Sequence, residues 1–193
     1  MALTKDEIKE FKKEEKEAED CTDFYFIADQ ISDAGDKEWA KNLYKKAEEK
    51  EPDFNDLRGL ANSVFENLDD EEWSRNLYKR ADKQAESYDD CGDLAQSLCE
   101  ILGDKEWARN LYKKTGKQAQ SFRNFLDLAV SLCEKLDDKE LARNFYKKAE
   151  EKAVGDERYH LVQSKKDYLG ESDAEESYIK LFENLPDDES VEN

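Results

Sequence analysis

The stretch DKEWAKNLYKKA, which begins at Asp36, decides the fold, because three variants of it follow at a fixed spacing. They are DEEWSRNLYKRA from Asp70, DKEWARNLYKKT from Asp104 and DKELARNFYKKA from Asp138. Each copy starts 34 residues after the previous one, without insertion or deletion. A constant period of this length is typical of stacked helical repeats, in which each unit buries its apolar face against its neighbours. The sequence therefore predicts an array of helix pairs, and it favours a binding surface over a catalytic centre.

The composition fits a thin, well-solvated helical array. Charged residues make up 42% of the 193 residues, hydrophobic residues make up 37%, and the formal net charge is -19. Such values alone could indicate disorder. Apolar residues nevertheless return at helical spacing through most of the chain, and only two prolines and seven glycines interrupt it. The periodicity therefore predicts an ordered, all-helical chain.

The sequence contains no predicted membrane span. No apolar run approaches the roughly 20 residues that a spanning helix needs. The first twenty residues are polar and of mixed charge, unlike a signal peptide. We therefore expect a cytoplasmic protein that does not enter a membrane.

The first helix of each pair carries an apolar stripe at helical spacing. In the pair that starts near Phe54 the stripe consists of Leu57, Leu60, Ala61, Val64, Phe65 and Leu68. Cys99 and Cys133 hold the position of Phe65 in the next two pairs, and we expect them to be small core residues rather than metal or redox groups.

The second helix of each pair is expected to bury its own apolar face. In the first pair this face consists of Trp39, Ala40, Leu43, Tyr44 and Ala47. Short turns predict antiparallel neighbours. At two of these turns we expect Asp69 and Asp137 to cap the second helix, with Glu72 and Glu140 completing capping boxes.

The repeat divides the chain into three parts. Residues 1–21 are expected to form an N-terminal capping helix, and residues 186–193 an acidic disordered tail. Residues 22–185 form the array, with units near 22–53, 54–87, 88–121, 122–155 and 156–185. The predicted fold is therefore an all-α solenoid of about five antiparallel helix pairs with a 34-residue period.

The first unit resembles a tetratricopeptide repeat. The residues that carry the resemblance are Ala28, Ile31, Gly35, Ala40, Tyr44, Ala47 and Pro52. One departure is that the aromatic residue usual just after the turn is replaced by Lys37, and Trp39 follows two residues later. The sequence pattern ARNLYKKA also resembles half-a-TPR repeats, but this chain lacks the tryptophan that those repeats have in their first helix. Either resemblance implies right-handed stacking of helix pairs, a concave groove lined by first helices, and a protein-interaction module.

The sequence offers little for catalysis. His160 is the only histidine, and the chain contains no glycine-rich phosphate loop or nucleophile elbow. Acidic pairs are expected by chance among 50 acidic residues. We therefore expect no catalytic residue, no cofactor and no metal site.

The side chains opposite the buried stripe of the first helices are acidic and serine-containing. This predicted acidic groove consists of Ser63, Glu66, Asp90, Asp93, Ser97, Glu100, Asp127, Ser131 and Glu134. It is either a partner-binding surface or a solvated face. The second helices instead present a basic stripe and the asparagines Asn42, Asn76, Asn110 and Asn144, which we interpret as solvated faces. The tryptophans are interpreted as packing between repeats.

Two functional hypotheses remain open from the sequence. In the first, the acidic groove binds a basic or amphipathic segment of a partner protein, as a scaffold, a chaperone or a neutralising partner would, and the net charge speeds the encounter. In the second, the acidic chain mimics a nucleic acid and occupies a DNA- or RNA-binding protein. Direct binding of nucleic acid is not expected, because repulsion by the net charge opposes it.

Overall fold

The computed structural model describes residues 3–170, and all regular structure in this part of the chain is helical. Ten α-helices follow one another, two of which continue into a π-helical turn. They are α1 (Lys5–Glu17), α2 (Cys21–Asp33), α3 (Lys37–Glu48), α4 (Phe54–Leu68), α5 (Glu71–Gln84), α6 (Tyr88–Ser97, then the π turn Leu98–Leu102), α7 (Lys105–Gln118), α8 (Phe122–Ser131, then the π turn Leu132–Leu136), α9 (Lys139–Lys152) and α10 (Glu157–Leu169). The all-helical prediction is confirmed for these residues.

Within the described residues the chain divides into two compact units, residues 3–111 and residues 112–170. In the first unit α2 packs on α3 and α4 packs on α5, while α1 lies against α2. In the second unit α8 packs on α9, and α10 contacts both of them. Each unit is thus built from neighbouring helix pairs. The second half of the predicted unit near 156–185 and the predicted acidic tail lie outside the described residues.

An aspartate caps the second helix in all four copies of the repeat, and in the two copies for which a cap was predicted it lies one residue later than predicted. The side chains of Asp36, Asp70, Asp104 and Asp138 each accept a hydrogen bond from the backbone N–H three residues on, at 3.0 to 3.1 Å. The prediction that Asp69 and Asp137 cap these helices, with capping boxes to Glu72 and Glu140, is therefore wrong.

Asp69 and Asp137 instead terminate the preceding helix in a left-handed conformation. Their φ values are 56° and 53°, and Gly35 and Gly103, which occupy the same place in the other two copies, have φ values of 99° and 64°. Aspartate tolerates this region better than most residues with a side chain. A residue held in this turn cannot also cap the next helix, which is why the cap moves to the following aspartate.

The apolar stripe of the first helices is buried at its centre and half-buried at its end. Leu60, Ala61 and Val64 have no exposed surface. Cys99 and Cys133, expected in the core, are only half-buried. Phe65, which holds the same position in α4, is also half-buried although α4 has no π turn. The partial exposure therefore follows from a position at the edge of the packed face near the end of the helix.

The second helices contribute alanine, leucine and tyrosine to the core. Ala40, Leu43, Tyr44 and Ala47 of α3 have no exposed surface. Trp39 is half-buried, and the edge of its ring meets the ring of Phe11 from α1, with centroids 6.2 Å apart. α1 therefore contacts α3 through an aromatic pair, although α1 itself has no fully buried residue.

Candidate protein-interaction surface

Five of the nine residues of the predicted acidic groove have exposed side chains. In the first unit these are Glu66, Asp93 and Glu100, and in the second unit they are Asp127 and Glu134. All five are carboxylates on the first helix of a pair. We call the three in the first unit the acidic surface.

The acidic surface lies on α4 and on α6 with its π turn. Asp93 Oδ2 is 3.5 Å from the Arg58 guanidinium, and 55% of the Asp93 side chain is exposed. Glu100 accepts hydrogen bonds from Gln96 Nε2 at 3.1 and 3.3 Å. Glu66 holds the position of Glu100 one repeat earlier, and its charge helps to raise the pKa of Tyr78, which burial raises most. The exposed carboxylates of this surface thus include Glu66 and Asp93, and Asp93 shares its charge with an arginine.

The two carboxylates of the second unit have neighbours of their own. Asp127 pairs with Arg123 on the same helix, with the guanidinium Nε 3.2 Å from Oδ1. Glu134 accepts a hydrogen bond from the Tyr168 hydroxyl at 2.5 Å. This hydrogen bond is the main reason why the pKa of Tyr168 is raised.

The serines of the predicted groove were expected to face solvent, but two of them are buried and the third is half-buried. Ser63 is 7% exposed, and its hydroxyl donates to Asp29 Oδ2 at 3.1 Å. Ser97 is 5% exposed and accepts a hydrogen bond from Arg58 Nη1 at 3.5 Å. Ser131 is half-buried. The buried serines contact the preceding first helix, where a small hydroxyl side chain fits between closely packed helices.

Asp90, the remaining residue of the predicted groove, caps a helix. Its carboxylate accepts hydrogen bonds from the backbone N–H groups of Ser87 and Glu86, at 3.1 and 3.3 Å, and Ser87 Oγ accepts from the Asp90 N–H in return. The bond from the Ser87 N–H is the main cause of the lowered pKa of Asp90. Its charge therefore serves the start of α6.

A buried polar cluster that was not predicted joins α2, α3 and α4. Asp29 accepts hydrogen bonds from the hydroxyl of Tyr44 at 2.6 Å and from Nδ2 of Asn67 at 3.0 Å, in addition to Ser63. Asn67 Nδ2 also lies 2.8 Å from the Tyr44 hydroxyl oxygen. Burial is the main cause of the raised pKa values of Asp29 and Tyr44. One sequence signal was available, because Asp29 holds the repeat position of Ser63, Ser97 and Ser131.

Basic side chains of the second helices in the first unit bind carboxylates of neighbouring elements. Arg75 Nη1 lies 2.5 Å from Asp104 Oδ2, and Nη2 lies 3.0 Å from Glu71 on the same helix. Lys41 makes the corresponding contact with Asp70, at 3.5 Å. These bases therefore link the second helix of one pair to the N-terminal cap of the next.

The tryptophans also connect successive second helices. The indole N–H of Trp73 donates to Glu48 at 2.8 Å, and Arg80 pairs with the other oxygen of Glu48. Trp39 donates to Glu15, which Lys46 also contacts, at 3.0 and 2.5 Å. Trp107 donates to Asp82 at 3.0 Å. The interpretation of the tryptophans as packing residues agrees with these contacts.

The asparagines of the second helices are exposed, as predicted. Asn42, Asn76, Asn110 and Asn144 all have exposed side chains. His160, the single histidine, is also exposed, and its ring meets that of Tyr159 edge to face with centroids 5.9 Å apart. Within residues 3–170, no three or more metal-ligating side chains come together.

The comparisons with known proteins found no relative. Neither the protein-family models, nor the curated proteins, nor the solved structures include a match to this chain. In the part of the chain that the structure describes, every helix is too short or too polar to cross a membrane.

Proposed function

We propose that this chain is a protein-interaction module whose outward carboxylates on the first helices bind a basic or amphipathic segment of a partner protein. The helix pairs would repeat with the 34-residue period of the sequence, as in a tetratricopeptide-like solenoid. The serines are left out of the proposed contact surface, and so is Asp90. In the first unit the surface is Glu66, Asp93 and Glu100.

The observation that carries this proposal is a difference between the two kinds of helix in the first unit. Four basic side chains of α3 and α5, namely Lys41, Lys46, Arg75 and Arg80, contact carboxylates of neighbouring elements at 3.5 Å or less. In the acidic surface, Glu66 of α4 and Asp93 of α6 are exposed, and Asp93 keeps 55% of its side chain exposed although it lies 3.5 Å from Arg58. These four bases thus hold neighbouring elements together, whereas Glu66 and Asp93 are exposed to a basic partner.

Exposed charge of this kind acts mainly on encounter and specificity. A negative surface on a chain with a net charge of -19 attracts basic segments over distances comparable to the screening length, about 10 Å at 0.1 M salt. Binding should therefore weaken as salt rises. A chaperone or neutralising partner of a basic protein would use the same interaction.

The test compares two variants with the same change in total charge. The first is Glu66→Gln, Asp93→Asn and Glu100→Gln together, which neutralises the acidic surface. The matched control is Glu38→Gln, Glu72→Gln and Glu106→Gln, three exposed carboxylates that share one position on the second helices. Each protein is immobilised and exposed to native lysate at low salt, and the proteins that elute with salt are identified.

We expect the wild type and the control to retain the same basic proteins, and the acidic-surface variant to lose at least about tenfold in the affinity for them, or about 1.4 kcal/mol. Equal retention by all three proteins would show that the acidic surface is only a solvated face. Retention of intact nucleic-acid-binding domains that duplex DNA or RNA displaces would instead support mimicry of a nucleic acid.

A further inference from the structure

A cavity of about 310 Å³ lies between α1 and α2, apart from the acidic surface. Its wall contains the apolar side chains of Ala18, Phe26 and Ile27 and the carboxylates of Glu14 and Glu17. Phe26 is 54% exposed, which makes it one of few large apolar side chains with that much exposure in the described part of the chain. The cavity thus combines an open aromatic ring with acidic neighbours.

Phe26 is exposed at a repeat position that is buried in the later first helices. The same repeat position holds Leu60 in α4, Leu94 in α6 and Leu128 in α8, and these are 0%, 0% and 2% exposed. α4 packs against α2 through residues 34 apart, since Thr22 donates to Asp56 at 2.7 Å and Ser63 donates to Asp29. Among the described residues, no first helix packs on α2 in the way that α2 packs on α4.

Glu14 lies at a position that holds a small, buried side chain in the later second helices, either alanine or threonine. α1 contacts α3 as α3 contacts α5, because Glu15 and Glu48 each accept from the indole of the next tryptophan. In this alignment Glu14 corresponds to Ala47, which has no exposed surface. Oε2 of Glu14 is buried and has no hydrogen-bond partner in residues 3–170. A buried oxygen without a donor is costly, so an occupant that donates to this carboxylate after the side chain turns toward the cavity would remove that cost.

The charge of the cavity determines which occupant it favours. A second copy that used the same face would bring Glu14 and Glu17 against their own equivalents, and each chain carries a net charge of -19. A basic occupant is favoured for the same reason. Among basic side chains, the arginine guanidinium can stack on an aromatic ring and also donate two hydrogen bonds to a carboxylate.

We propose that the α1–α2 cavity binds an amphipathic helix of a partner protein, which places an apolar side chain against Phe26 and an arginine on Glu14. The helix would occupy the place that a preceding first helix would take in the array. This site is separate from the acidic surface and does not depend on the function proposed for that surface.

The probe is a fluorescent amphipathic peptide of about five helical turns, with leucines along one face and arginines beside them. Two matched peptides replace the arginines by lysine or by glutamate. Anisotropy titrations use the full chain as wild type, Glu14→Gln and Phe26→Ser. Glu10→Gln, an exposed carboxylate of α1 outside the cavity, is the control for the charge. Tyr159→Ser, which removes another exposed aromatic ring, is the control for Phe26.

We expect Glu14→Gln and Phe26→Ser each to weaken binding of the arginine peptide by about tenfold, while both controls bind as the wild type does. The lysine peptide should bind more weakly to the wild type, and Glu14→Gln should reduce the difference between the two peptides. The glutamate peptide should not bind. Equal binding of the arginine peptide to all five proteins would overturn the proposal.

Two further outcomes would also overturn it. If Phe26→Ser lowers the thermal midpoint by several degrees, Phe26 is already covered by this chain or by a second copy, and sedimentation distinguishes these cases. If the peptide binds Glu14→Gln and Phe26→Ser normally but not the acidic-surface variant, it occupies the acidic surface. That last result would refute the cavity site and leave the proposed function standing.

Discussion

Replacing Gly116 by alanine should destabilise the second unit, although alanine is the better helix former. A Cβ atom on Gly116 of α7 would lie 2.2 Å from Cε1 and 2.3 Å from Cζ of Phe145 in α9. Carbon atoms in good contact are about 3.5 to 4.0 Å apart, so the ring would have to move by more than 1 Å. Phe145 is only 4% exposed and stacks on Phe125, with Lys148 Nζ 5.3 Å from its centroid. The ring therefore has little room to move.

The size of the effect follows from two opposing terms. Overpacking of a dense core costs about 1 to 3 kcal/mol, and the depth of this overlap places the cost near the upper end. The gain in helix propensity from glycine to alanine offsets about 1 kcal/mol of that cost. We expect Gly116→Ala to lower the free energy of unfolding by about 2 kcal/mol, measured by urea denaturation with far-UV circular dichroism.

Gly92→Ala is the matched control for this measurement. Gly92 lies within α6, and a Cβ atom there would meet nothing within 4 Å. Only the propensity term then applies, so the variant should gain up to about 1 kcal/mol. If Gly116→Ala stabilises the chain as Gly92→Ala does, the packing described for Phe145 is wrong. Adding Phe145→Leu should make Gly116→Ala less damaging, since the smaller side chain leaves room for the methyl group.

Three other predictions concern single side chains. Burial raises the pKa of Asp29, so the native state keeps a proton on this carboxyl to higher pH than the unfolded state does. The protonated carboxyl therefore contributes to stability at low pH, and this contribution is lost as pH rises through the raised pKa. In urea titrations, the free energy of unfolding of Asp29→Asn should therefore improve relative to the wild type from acidic to neutral pH; an unchanged difference would contradict the assignment. Trp73→Phe should cost about 1 kcal/mol by losing the hydrogen bond to Glu48, and an equal cost in a Glu48→Ala background would show that this bond contributes nothing. Cys21 is 1% exposed and burial raises its pKa to about 12, so iodoacetamide should modify it far more slowly than the half-buried Cys99, as peptide mass spectrometry can measure.

The helix pattern could be predicted from the sequence because it depends on local periodicity. The pair predicted to start near Phe54 does start there, because α4 runs from Phe54 to Leu68. The cap at Asp70 was missed by one residue, although Asp69 aligns with Gly35 and Gly103, and that alignment already indicates a left-handed turn. Partners across helices were not predictable in the same way. The choice of Glu48 by Trp73 depends on how two helices lie side by side, which the spacing along one helix does not specify.

Among the residues of the predicted acidic groove, five carboxylates are exposed, whereas two of the three serines are buried. A helical wheel places Ser63 beside the apolar stripe, at a boundary where side-chain size and the neighbouring helix decide exposure. Ser63 is small enough to enter the packed face, and Asp29 supplies an acceptor for its hydroxyl. Glu66, only three residues later, is too large and too charged for such a position and remains exposed.

The fourth copy of the repeat lacks both the tryptophan and the carboxylate that accepts its hydrogen bond. In three copies the indole of the tryptophan has a carboxylate acceptor, which lies on α1 for Trp39 and on the preceding second helix for Trp73 and Trp107. In the fourth copy leucine replaces the tryptophan at position 141, and the acceptor position holds Gly116. The donor and the acceptor are therefore lost together.

The basic residue that contacts the same carboxylate in two earlier copies has different neighbours in the fourth copy. Lys148 holds the position of Lys46 and Arg80, which contact Glu15 and Glu48. In the second unit the Lys148 ammonium lies over the ring of Phe125, 5.4 Å from its centroid, as well as over the ring of Phe145.

The arginines of the first unit are paired with carboxylates, and this pairing affects which partner the chain can bind. A nucleic acid needs basic side chains that are free to replace counterions on its phosphates. In the first unit Arg75 is held between Asp104 and Glu71, and Arg80 is paired with Glu48. Moving either guanidinium to a phosphate would break contacts that link successive helices and would leave their carboxylates facing the phosphate. A basic protein segment meets no such cost at Glu66, which is already exposed, and this difference supports the proposed basic partner over a nucleic acid.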